Sequence, residues 1–69
     1  SMTQILTRND LQPGMLVEIN PQSDRSRKIL LEGKVLKILT KSASHPYGIL
    51  VLLESGEKGR VKKVVVQES

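Results

Sequence analysis

The chain has 69 residues, room for one small domain, and carries 11 Lys/Arg against 7 Asp/Glu for a net charge of +4. With no Cys, one His and a single aromatic, Tyr47, it has no material for disulfides, zinc–thiolate centres, histidine-built metal sites or aromatic cages. No apolar run approaches the ~20 residues a membrane helix needs, so no membrane, metal or cofactor is expected as a partner, and the cytoplasm is the expected location.

The positive charge is concentrated. Residues 25–63 hold ten Lys/Arg against Glu32, Glu54 and Glu57, whereas residues 1–24 hold Arg8 against Asp10, Glu18 and Asp24. A basic block inside a folded unit is the electrostatic footprint of a polyanion ligand. The competing explanation is a solvated surface on which Lys blunts sheet edges.

In chain order, residues 1–9 carry few structural signals and read as a loosely ordered lead-in to a single domain at 10–67. Asp10 to Gly14 reads as a turn built on Pro13 and Gly14. Met15 to Asn20 alternates, with Met15, Val17 and Ile19 on one side and Leu16 and Glu18 on the other, which predicts a half-buried strand ended by Pro21. Gln22 to Lys28 is polar and basic and reads as an exposed loop. Lys28 to Lys41 supports two readings. As a helix, Leu31, Val35, Leu36, Ile38 and Leu39 share a side opposite Lys34, Lys37 and Lys41. As a strand, Ile29, Leu31, Gly33 and Val35 share a face and Ile38 rejoins it after a slip of the kind a β-bulge produces. Periodicity alone leaves the helix slightly ahead. His45-Pro46-Tyr47-Gly48 has turn chemistry, with Pro second and Gly fourth. Ile49, Val51 and Leu53 alternate with Leu50 and Leu52 in a short strand. Residues 54–59 read as a hairpin loop with two glycines, and Arg60 to Val66 as a last β-branched strand.

The runs Gly33-Lys34-Val35-Leu36-Lys37-Ile38-Leu39-Thr40, His45-Pro46-Tyr47-Gly48-Ile49, Leu53-Glu54-Ser55-Gly56 and Gly59-Arg60-Val61 resemble the YwbE-like family of small bacterial proteins of unknown function. Pro13-Gly14, Val17 and Ile19 fit that family's opening strand, and the resemblance covers roughly residues 8–64. The stretch from His45 to Val61 is its most specific part. Pro-Gly-x-x-Val-x-Ile followed by Gly-x-Val-x-x-Ile is also similar to SH3-like barrels of the KOW type, which often bind RNA or ribosomal and transcription machinery. That likeness tips Lys28 to Thr40 from helix to bulged strand. It implies a mostly β protein, a small SH3-like antiparallel barrel, with α+β and a helix at 31–41 as the alternative. Leu50, Leu52 and Glu32 depart from the family pattern by removing positive charge from the outside of the sheet. That favours loops and edges over a broad basic face.

The residues suited to catalysis do not form a known constellation. Ser42, Ser44 and His45 lack an orienting carboxylate, and a His before Pro is foremost a turn residue. Glycine spacing matches neither a P-loop nor a dinucleotide fingerprint. The reading is therefore a non-enzymatic binding module for RNA or a ribonucleoprotein, held through phosphate contacts. Single-strand readers stack bases on aromatics, and Tyr47 can serve one base at most. The expected contacts are Arg25, Arg27 and Lys28 in one group and Lys58, Arg60, Lys62 and Lys63 in the other. For Arg60 the competing role is a cross-strand pair with Glu54. The alternative function is a protein-interaction or self-association module. It rests on Leu50 and Leu52, which face away from the core and are expected to be covered by a second copy, a partner protein or residues 3–7.

Overall fold

A computed structural model describes residues 6–67. Four strands, β1 (Leu16–Pro21), β2 (Leu31–Ile38), β3 (Leu50–Leu53) and β4 (Lys58–Val64), close into an antiparallel barrel in the order β1-β2-β3-β4. The chain is thus mostly β, a small barrel of SH3-like type. Among the described residues there is one 3-10 turn, Arg8–Asp10, and no helix long and apolar enough to cross a membrane.

The barrel forms because period-two alternation sends one set of aliphatic side chains inward. Val17, Ile19, Val35, Ile49, Val51 and Leu53 are fully buried, and Leu11 and Val61 nearly so. Most are β-branched, which suits a pleated, packed surface. Segment 31–41 is strand rather than helix, and the anticipated slip is present. The β2–β3 register shifts between Val35 and Lys37, so Leu36 and Lys37 both face outward and Ile38 returns to the core. A second shift, between Glu18 and Ile19, leaves Lys62 as an extra residue on β4.

Two interior glycines mark close approaches rather than turns. A Cβ at Gly33 would lie 2.7 Å from Leu53 Cδ1, so the missing side chain makes room for Leu53 in the core. Gly59 sits within β4, paired with both Pro21 and Val51. The hairpin loop is accordingly shorter than expected, and β4 begins at Lys58 and ends at Val64 rather than spanning 60–66.

The start of the domain also differs from expectation. Residues 6–10 pack against the barrel: Leu6 lies on the core, and Arg8 N–H donates to Ala43 O at 2.8 Å. The Thr7 N–H and hydroxyl both donate to the Asp10 carboxylate, at 2.8 and 3.0 Å, which closes the 3-10 turn. These bonds hold Asp10 below the usual carboxylate range, the backbone N–H of Thr7 first and its hydroxyl second. Residues 3–5, offered as one cover for Leu50 and Leu52, lie outside the described residues.

Candidate nucleic-acid interface

The β1–β2 loop is organised by one carboxylate. Asp24 Oδ1 accepts from the Ser26 N–H and hydroxyl. Its Oδ2 accepts from Lys28 N–H and Ile29 N–H, both at 2.8 Å, and from Asn20 Nδ2 at 3.0 Å. Asn20 is itself buried, 7% exposed, and donates a second bond to Ile29 O at 2.9 Å. The Asp24 carboxyl is held far below its ordinary range, chiefly by the Ser26 hydroxyl and next by the Ile29 N–H.

This wrapping shapes the backbone at Arg27, the one described non-glycine residue with positive φ, at 60°. Side chains other than Gly rarely adopt that region without a local reason. Here the Asp24 bonds to Ser26, Lys28 and Ile29 bracket Arg27 on both sides. Its guanidinium carbon then lies 4.4 Å from the centre of the Tyr47 ring, a cation–π geometry.

Tyr47 is positioned from the other side by the β2–β3 connection. Gly48 N–H donates to His45 O at 3.0 Å, which confirms the expected turn. His45 Nδ1 accepts from Tyr47 N–H at 3.1 Å, so the imidazole braces the turn from within. Gly48 has φ 100°, and a Cβ there would meet Val61 O at 2.5 Å, so no other residue fits without a shift. Arg60 and Lys62 of β4 pin the same turn. Arg60 Nη1 donates to Gly48 O at 3.3 Å and Lys62 Nζ to Tyr47 O at 2.7 Å. These acceptors are neutral carbonyls, so the bonds fix the two cations without cancelling their charge.

The result is a concavity of about 180 Å³ lined by Asn20, Asp24, Arg27, Tyr47, Arg60 and Lys62 among others. Of the seven cations expected to form the site, the fold brings Arg27, Arg60 and Lys62 to this concavity. Arg25 and Lys28, exposed on the same loop as Arg27, are not among the residues that line the concavity. Lys58 lies opposite Leu52 and is not among the residues that line it. Lys63 sits directly across from Glu18, where opposite charges favour each other. The proposed Arg60–Glu54 pairing is not formed, because Arg60 is opposite Leu50 and Asn20 while Glu54 lies in the hairpin loop.

Leu50 and Leu52 are half-buried rather than laid open. Their cross-strand neighbours are Arg60 for Leu50, and Lys58 and Lys37 for Leu52. Long cationic side chains lay their aliphatic stems along such neighbours and keep the charge in water. Among the described residues the large apolar ones left most open are Ile29, Leu30, Leu36, Tyr47 and Val66. Sequence reasoning passed over Asn20 and Asp24. The available signal was an Asn at a strand end with an Asp four residues on, two side chains that bond local backbone.

The fold and this site define a small closed β-barrel with a basic, tyrosine-bearing concavity between two loops. The chain belongs to the family described as uncharacterized conserved protein (DUF2196), which matches residues 4–64. It is similar to the uncharacterized protein YwbE of Bacillus subtilis (strain 168), with 43% identity over 58 residues, covering 84% of this chain and 89% of that protein. No solved structure matches the chain.

Proposed function

We propose that this protein is a non-enzymatic RNA-binding module of the cytoplasm that grips the phosphate backbone through Arg27, Arg60 and Lys62. The observation that carries this reading is their convergence. Two cations from the end of the barrel and one from a loop more than thirty residues away in sequence meet in one concavity. Three cations against the single Asp24 carboxylate leave the concavity net positive, which favours an anionic ligand. The one carboxylate in that concavity, Asp24, has both oxygens committed to loop hydrogen bonds.

Affinity from so few phosphate contacts is weak, on the order of micromolar or poorer at physiological salt. Three contacts on a single strand give a log–log salt slope of about −2. The test is fluorescence anisotropy with a labelled RNA over a series of salt concentrations. The Arg27→Glu/Arg60→Glu/Lys62→Glu variant should lose binding, whereas Arg25→Glu/Lys28→Glu, outside the concavity, should keep most of it. Absence of binding at low salt, or an unchanged slope in the triple variant, refutes the reading. The Leu50/Leu52 surface supports a self-association reading less well, because both side chains are already half-buried between cations.

A further inference from the structure

Phosphate contact explains the charge of Arg27, Arg60 and Lys62 but leaves unexplained the exposure of Tyr47 and the seating of Arg27 over its ring. Tyr47 is the only aromatic residue other than His45, yet it is 53% exposed. Burial is the usual use of a lone aromatic in so small a domain, and this one is held out on a turn braced by four separate hydrogen bonds. Arg27 adopts an unfavourable backbone region, and its guanidinium lies over the ring. The His45 ring, with its centroid 5.9 Å away and tilted by 48°, is a further neighbour of the phenol.

We infer that the Tyr47–Arg27 pair is a stacking platform for one unpaired base, so that the module takes single-stranded RNA in preference to duplex. The inference rests on the RNA-binding reading above. Unpaired bases stack on aromatic faces and on guanidinium planes; here the guanidinium covers one face of the ring, so the base would stack on an outer face of the pair. Arg60 and Lys62 hold the carbonyls of the same turn, which puts their charge beside the platform where the phosphate of the stacked nucleotide would run. At about 180 Å³ the concavity is smaller than the roughly 300–1,000 Å³ that encloses a whole small ligand. It therefore suits one piece of a longer strand. A base inside a duplex is stacked on its neighbours and cannot reach the ring without unpairing.

Because the chain has one Tyr and no Trp, its intrinsic emission reports on Tyr47 alone. The experiment titrates the protein with a short single-stranded RNA, with its duplex, and with a single strand of equal length lacking bases. Support consists of emission quenched by the first and not by the other two. Tyr47→Leu should then weaken single-strand binding by about 5- to 150-fold, the worth of one stacked base. The salt slope should stay the same, and Tyr47→Phe should restore affinity. Far-UV circular dichroism checks that the variants keep the barrel. If all three ligands bind alike, with emission and Tyr47→Leu affinity unchanged, the platform inference falls while phosphate binding stands. If none binds at low salt, both fall.

Discussion

Replacing Gly59 by Ala adds one methyl group at the root of the candidate site. That carbon would lie 2.4 Å from Asn20 O, 2.7 Å from Ile19 Cδ1 and 2.9 Å from Asn20 C. Carbon–oxygen contacts settle at about 3.3–3.6 Å, so β1 and β4 must part by about 1 Å. Neither strand has slack, since Gly59 pairs with Pro21 on one side and Val51 on the other. Overpacking of this kind costs about 1–3 kcal/mol, and a backbone obstacle places this case near 3. For a domain of this size that lowers Tm by roughly 12–24 °C. Gly56→Ala is the matched control: φ is 98° and nothing lies within 4 Å. It carries only the conformational cost, about 1–2 kcal/mol. Thermal unfolding followed by circular dichroism should rank Gly59→Ala below Gly56→Ala. Amide shifts in Gly59→Ala should extend from Asn20 into the loop to Ile29, because Asn20 holds that loop. A Gly59→Ala protein that melts at or above Gly56→Ala refutes the close-approach reasoning.

Asn20→Ala leaves the Ile29 carbonyl and the Asp24 carboxylate without their shared donor; we expect a loss of about 1–3 kcal/mol in urea unfolding, with faster amide exchange across residues 24–29. Asp24 is lowered in the fold by the Ser26 hydroxyl and the Ile29 N–H. Its contribution is complete above the unfolded carboxylate value of 3.8 and is lost as pH falls below it toward the folded value. Stability should thus be unaffected by Asp24 between pH 7 and 5 and decline below about pH 4, a decline that Asp24→Asn should lessen in an acid unfolding series. Changing both Leu50 and Leu52 to Lys removes two half-buried side chains and adds charge beside Lys37, Lys58 and Arg60. We expect about 2 kcal/mol of destabilisation with an unchanged sedimentation coefficient. A changed coefficient would restore the self-association reading.

The fold was largely legible because alternation and β-branching act locally. The 49/51/53 face, the Val17–Ile19 face and the slip after Val35 all appear in the sequence. Segment 31–41 was ambiguous on periodicity because a bulge restores a near-helical spacing between Val35 and Ile38. Gly59 misled because space and conformational freedom favour the same residue, and only the neighbouring strand tells them apart. The site was legible by charge but not by place. Arg27 and Arg60 meet only after the barrel closes, and no local pattern encodes that. Asp24 was hidden because a carboxylate in a basic loop looks like a solvated charge until its five donors are seen.

Closure of the barrel bears on the lysines themselves. Lys on an outer strand commonly guards against one sheet adding to another. Here β1 bonds both β2 and β4, so the four strands offer no open rim for a stranger to join. Lys58 and Lys62 on β4 have no such rim to guard. Exchanging them for Gln should not raise aggregation, and the four described strands offer no edge to partners that recruit by adding a strand. Recognition is left to side chains, those of the two loops and the Arg60 and Lys62 that β4 turns outward, which project from the hydrogen-bonded wall behind them.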